Sequence, residues 1–132
     1  ILLDREGGPN HVGNYCDAAI IADTTTDDAA IYFHPQYYYM GHFSKFLAPN
    51  SVRVETTVTG GTKTDDCSWP YGGCDGNTIH VTSWQQPDGS LSVVAMNCGD
   101  DDKDMSLSVS GVEGELRNSV PANSIQTLVI PM

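Results

Sequence analysis

A chain of 132 residues, 39% of them hydrophobic, suits one domain and can bury roughly two-thirds of the surface that its unfolded form exposes. Its net charge of −11 disfavours nucleic acid and anionic membrane surfaces as partners, because both bind clustered Lys and Arg. No run approaches the roughly 18 apolar residues of a membrane span. Charged residues follow Ile1-Leu2-Leu3 at once, so no signal peptide is predicted, and the mid-motif start indicates a processed or truncated product.

The first third of the chain predicts a loop, a short strand and an aromatic-rich helix. Residues 4–17 are rich in Gly, Pro and Asn and predict a structured loop, and the apolar run at 18–22 predicts one strand. Pro35 suits the first turn of a helix because its missing N–H would have no partner there, and Pro49 is predicted to end that helix. Its apolar face is predicted to contain Tyr39, Met40, Phe43, Phe46 and Leu47.

From residue 51 onward the apolar period changes to two, which predicts β-strands. The step Asp88-Gly89 after Pro87 predicts a tight hairpin turn. About six short strands at this spacing are typical of an antiparallel β-sandwich, so the chain is predicted to be mainly β. We divide it into a segment at 1–49 and a sandwich domain at 50–132. The predicted strands lie at 52–58, 79–84, 91–96, 105–109, 115–120 and 125–130.

Two sequence runs form recognisable motifs. The first is Glu6-Gly7-Gly8-Pro9-Asn10 followed by residues 17–23, and the second is the Gln-Tyr-Tyr-Tyr-Met-Gly-His-Phe-Ser-Lys-Phe run at 36–46. Both resemble segments of glycoside hydrolase family 30, the glucosylceramidase-like enzymes. The resemblance implies a (β/α)8 barrel with an attached sandwich. According to this resemblance, residues 1–49 are the loop, strand and helix at the end of the barrel. His11 departs from the aromatic residue that the family often has after Pro-Asn.

The same resemblance implies that this chain carries no catalytic residue. Family members are retaining β-glycosidases that use two Glu residues on earlier barrel strands, so the chain is predicted to be inactive alone. The intact enzyme would hydrolyse β-glucosides such as glucosylceramide. The family's sandwich also takes strands from the enzyme's N-terminus. We therefore expect as partner the N-terminal barrel portion, or self-association through open sheet edges.

Two groups of residues are candidates for contact with sugar. By resemblance, the loop before the short strand lies at the active-site face, where Asp4, Glu6, Asn10 and His11 would form part of the rim of the sugar pocket. The alternative is that Gly7-Gly8-Pro9-Asn10 only shapes the loop. Trp69 and Tyr71 could stack on sugar rings, or could stiffen their own loop. A glycan-binding module and a stand-alone structural or self-assembling sandwich are accordingly the alternative functions.

The acidic residues predict solvated turns rather than catalytic pairs. This holds for Asp27-Asp28 and Asp65-Asp66, and Glu113 and Glu115 are expected at the surface. The acidic run at 100–104 lacks the spacing, Gly and terminal Glu of an EF-hand, and the four histidines show no metal-ligand spacing. We therefore expect no metal and no cofactor.

Four cysteines allow three pairings. Cys67 and Cys74 are close in sequence and flanked by Gly, so a small loop staple between them is predicted. Cys16 and Cys98 would then pair or remain free. This usage indicates an oxidising compartment, either extracellular or lysosomal.

Overall fold

The computed structural model describes residues 2–3, 18–23, 30–59 and 79–132. The chain divides into two compact units, Ile1–Ser44 and Lys45–Met132. Within the described ranges, no helix has the length and apolar character that crossing a bilayer requires.

The first unit contains a three-stranded sheet of order β1-β2-β3, formed by Leu2–Leu3, Ile20–Asp23 and Ala30–Phe33. β1 pairs with β2 in parallel, and β2 pairs with β3 in antiparallel fashion. The predicted short strand at 18–22 corresponds to β2, and the sequence did not predict β1 or β3. The flanking strands have two and four residues, which is too short for a period to be visible. Both strands pair their backbone N–H and C=O groups with β2.

Helix α1 spans Pro35–Ser44 and begins at the predicted proline. The predicted end at Pro49 was wrong, because the chain leaves the helix at Ser44 and turns through residues 45–50. Asn50 adopts a φ of 69°, a left-handed conformation that Asn tolerates. Phe46 and Leu47 follow the helix and cannot belong to its face. No described residue of α1 is buried.

In the described residues of the second unit, at 45–59 and 79–132, six strands form two antiparallel sheets, as an antiparallel sandwich pattern predicts. The larger sheet has the order β4-β5-β6-β9, and the smaller one pairs β7 with β8. The strand bounds are Val52–Val54 (β4), Ile79–Gln85 (β5), Leu91–Asn97 (β6), Lys103–Leu107 (β7), Leu116–Val120 (β8) and Ser124–Ile130 (β9).

The buried part of the second unit centres on β6. The consecutive residues Val93, Val94 and Ala95 are all buried, together with Val120 of β8. Successive side chains of a strand point to opposite faces, so both faces of β6 are covered. A central strand of this kind is expected to read as a continuous apolar run, which the sequence does at this position.

The β5–β6 hairpin turns at the predicted Asp-Gly step. Gln86 N donates to Ser90 O at 2.8 Å, and Gly89 N donates to Gln86 O at 3.0 Å. Gly89 has a φ of 88°, so the three-residue loop is a tight turn closed by a left-handed glycine.

Candidate functional site

The residues predicted to contact sugar all lie outside the described part of the chain. These residues are Asp4, Glu6, Asn10, His11, Trp69 and Tyr71. The predicted staple between Cys67 and Cys74 lies outside it too, as does Cys16. Cys98 is described and is disulfide-bonded, while the pairing of the four cysteines stays a prediction.

The acidic residues of the second unit serve local structure. Asp102 Oδ1 accepts from Ala122 N at 2.9 Å, and Asp100 Oδ1 lies 3.1 Å from Asn123 Nδ2. Glu115 Oε2 accepts from Ser106 Oγ at 2.8 Å at an exposed position. Among the described residues, no group of three or more His, Cys, Asp or Glu side chains could hold a metal ion. These carboxylates cap turns and strands at the surface.

An exposed aromatic patch covers β3 and α1 of the first unit. Ring contacts link part of it, with Phe33 and Tyr37 centroids 4.8 Å apart and Tyr37 and Tyr38 centroids 5.4 Å apart. Met40 is 63% exposed and Tyr38 is 59% exposed. Exposed apolar side chains that cluster in this way form a candidate interaction site. We define the aromatic patch as Ile31, Tyr32, Phe33, Tyr37, Tyr38, Met40 and Phe43.

An apolar groove opens in the second unit. A cavity of about 320 Å³ is lined by Val54 and Leu91 from the larger sheet and by Leu107 and Val109 from the end of β7 and the residues after it. A second cavity of about 380 Å³ also contacts Leu107 and Val109. Met132 lines both cavities. We call this pair of cavities the sandwich groove.

Gln86 joins the segment after α1 to the β5–β6 hairpin. Its side chain is only 8% exposed, and its Oε1 accepts from Ala48 N at 2.9 Å and lies 2.8 Å from Ser51 Oγ. Its Nε2 donates to Phe46 O and to Ser92 Oγ, each at 2.5 Å. We call these five residues the Gln86 cluster. It satisfies the buried amide completely, as burial of a polar group requires.

Asn97 has the same role at the far end of β6. The side chain is fully buried, and Nδ2 lies 2.8 Å from Asp101 O, 3.0 Å from Val120 O and 3.0 Å from Pro121 O. Oδ1 accepts from Gly99 N at 2.9 Å. Sequence reasoning missed both amides. The available signal was an amide residue at the end of a strand directly before a turn.

A family model described as the glycosyl hydrolase family 30 beta sandwich domain matches residues 50–128, and the family's TIM-barrel domain matches residues 1–47. The chain therefore belongs to glycoside hydrolase family 30.

Curated relatives are similar over different lengths. The lysosomal acid glucosylceramidase of Mus musculus is 33% identical over 127 residues, which are 96% of this chain and 21% of the relative. The putative glucosylceramidase 3 of Caenorhabditis elegans is 43% identical over 60 residues, 46% of this chain and 11% of the relative. The matched residues thus span about a fifth of the length of the mouse relative and about a tenth of the length of the nematode relative.

Solved structures share the fold of almost the whole chain. SrfJ from Salmonella typhimurium has a TM-score of 0.78 at 23% identity, covering 99% of this chain and 25% of that structure. An endo-β1,6-glucanase has a TM-score of 0.73 at 22% identity with the same two coverages.

Proposed function

We propose that this chain is the C-terminal, non-catalytic portion of a retaining β-glycosidase that resembles glucosylceramidase. The intact enzyme would hydrolyse β-glucosides such as glucosylceramide. Retaining hydrolysis needs two carboxyl groups roughly 5–5.5 Å apart, and the family resemblance assigns both to strands upstream of residue 1. The role of this chain is then to complete the barrel and to supply the sandwich.

The observation that carries this proposal is the aromatic patch on a barrel-type segment. A helix that is apolar on much of its circumference is normally buried, yet α1 contains no buried residue. Burial of large apolar side chains stabilises by about 1.5–3 kcal/mol each. The patch therefore supports a companion surface, for which the N-terminal barrel portion is the occupant that we propose.

The sandwich groove supports the same companion. Its lining is mostly apolar, with Val54, Leu91, Leu107 and Val109 around a space large enough for several side chains. The extended strands that the resemblance assigns to the N-terminal portion would fill such a space. In the complete enzyme, Asp4, Glu6, Asn10 and His11 would contribute to the rim of the sugar pocket.

We place the complete enzyme in the lysosome or outside the cell. The mouse relative's name gives a lysosomal protein, and the disulfide at Cys98 suits an oxidising compartment.

The test is hydrolysis of a fluorogenic β-glucoside by the purified chain at acidic and neutral pH. We expect a rate equal to that of buffer, with the mouse relative as the positive control. Hydrolysis that copurifies with the chain and survives repeated chromatography would overturn the proposal. Mass analysis of native material, with sequencing of any second polypeptide, identifies a companion directly.

A self-assembling module is the second candidate, and the exposed aromatic patch favours it as well. Two copies would then cover each other's apolar surface in place of a barrel. Size-exclusion chromatography separates the two candidates, because a compact monomer at all concentrations contradicts self-assembly. Glycan binding through Trp69 and Tyr71 stays a prediction, which a glycan array with Trp69→Ala against the parent would test.

A further inference from the structure

The tip of the β5–β6 hairpin contains a peptide step that is chemically labile. An Asp-Gly step can isomerise spontaneously, because Gly has no side chain to hinder attack by its nitrogen. The sequence contains two such steps, Asp75-Gly76 and Asp88-Gly89. The first lies outside the described residues, and Asp88 of the second is exposed to solvent.

The reaction is intramolecular and needs no reagent except water. The nitrogen of Gly89 bonds to Cγ of Asp88, and the amide proton leaves with a carboxyl hydroxyl group as water, which gives a five-membered succinimide. Water then adds to the main-chain carbonyl carbon of Asp88 and breaks its bond to nitrogen. The chain now runs through the side-chain carbon as an isoaspartyl linkage of unchanged mass.

In the hairpin, hydrogen bonds engage both reacting groups. Asp88 Oδ1 accepts from Ser90 N at 2.9 Å and from Ser90 Oγ at 2.6 Å. Gly89 N donates to Gln86 O at 3.0 Å. Attack requires the carboxyl group to turn away from Ser90 and the amide to leave Gln86. The same Ser90 contacts lower the pKa of Asp88, which keeps the carboxyl group ionised and less reactive towards the nitrogen.

We propose that Asp88-Gly89 is a latent isomerisation site and that Ser90 holds it unreacted. An isoaspartyl linkage would affect the hairpin because only three residues separate Gln86 from Ser90, and Gln86 N donates to Ser90 O at 2.8 Å. An isoaspartyl residue adds one atom to the main chain of this loop. That insertion disturbs the pairing beside Gln86, whose side chain holds the segment at residues 46–51.

The experiment follows isoaspartate at position 88 by peptide mapping with fragmentation that distinguishes the two linkages. The chain is incubated folded and in urea, at the same pH and temperature. Three proteins are compared, the parent, Ser90→Ala and Ser90→Thr, since Thr retains the hydroxyl group. The step Asp75-Gly76 in the same digest serves as an internal reference.

We expect the folded parent to isomerise at Asp88 about tenfold more slowly than the unfolded parent, since hydrogen bonds on both groups must break. Ser90→Ala should raise the folded rate by about two- to tenfold, the effect of one hydrogen bond, while Ser90→Thr keeps the parent rate. In urea all three should react alike. Equal folded and unfolded rates in the parent would overturn the proposal. So would a folded Ser90→Ala protein, verified by circular dichroism, that reacts like the parent.

Discussion

At the scale of residues, two buried amides fix the ends of the central strand. Gln86 lies just before the first residue of the hairpin turn, and Asn97 is the last residue of β6. The side chain of each forms hydrogen bonds with backbone groups of nearby turns. Loss of either amide leaves buried backbone groups without partners, which costs more than the hydrogen bonds contribute when present.

Gln86→Ala is expected to lower the free energy of unfolding by about 2 kcal/mol, because Ala48 N loses the oxygen that it donates to and Phe46 O keeps only the Ser92 hydroxyl group. Gln86→Met fills nearly the same volume but makes none of the hydrogen bonds. It therefore distinguishes the contribution of packing to stability from the contribution of the hydrogen bonds. Urea unfolding of both proteins provides the measurement. If Met restored the parent stability, the hydrogen bonds of the Gln86 cluster would not be the cause.

Asn97→Asp is expected to destabilise in a pH-dependent manner, because a carboxylate would face the carbonyl oxygens of Asp101, Val120 and Pro121. Burial among these oxygens would raise the folded pKa of the new carboxyl group. The folded state then binds the proton more tightly than the unfolded state, so stability falls as pH rises through the acidic range. Asn97→Ala should lose about 2 kcal/mol at every pH. Unfolding curves at several pH values distinguish the two, and parallel pH profiles would refute this account.

Asp88 is expected to titrate below its ordinary pKa of 3.8, first because of the Ser90 hydroxyl group and then because of the Ser90 backbone N–H. A depressed folded pKa contributes stability above the unfolded value, and the contribution is lost as pH falls through the folded pKa. The stabilisation is therefore present above the ordinary value of 3.8 and is lost as the pH falls below it. NMR titration of the Asp88 carboxyl group should show the pKa rising in Ser90→Ala, and an unchanged pKa would remove Ser90 as the cause.

At the scale of elements, α1 has no buried residue, although Tyr37, Tyr38, Met40 and Phe43 are large apolar side chains. Met40→Glu should weaken self-association of the chain by about 1–2 kcal/mol, because it removes exposed apolar area and adds repulsion between copies. Sedimentation equilibrium measures the change. Glu113→Gln, at an exposed loop position outside the aromatic patch, serves as the control. Glu113→Gln removes a negative charge, so strengthening of association in that variant by as much as Met40→Glu weakens it would mean that net charge, rather than the patch, governs association.

The sequence predicted strands best where a period was long enough to read. The apolar run at 91–96 corresponds to β6, and the alternation from Met105 to Val109 overlaps β7, which ends at Leu107. β1 and β3 were missed because they have two and four residues, which is too short for a period to show. The helix end was misplaced because the side chain of Gln86, 40 positions from Phe46, holds the chain in a turn there. The candidate rim residues at 4–11 came from resemblance alone, whereas Trp69 and Tyr71 came from the chemistry of aromatic rings.

At the scale of the whole molecule, two units belong to two parts of one enzyme family. The family's barrel and sandwich models match successive stretches of this chain, and each unit carries apolar surface that a larger enzyme would cover. We propose that a companion polypeptide would bury apolar area at both surfaces, the aromatic patch and the sandwich groove.

The most direct test of this account is a chimera. The C-terminal part of the mouse relative that matches this chain, 21% of its length, is replaced by the chain, and hydrolysis of a β-glucoside is measured. We predict turnover by the chimera and none by either part alone. A folded chimera without turnover, or turnover by the isolated chain, would contradict the claim that this chain completes a glycosidase whose catalytic residues lie elsewhere.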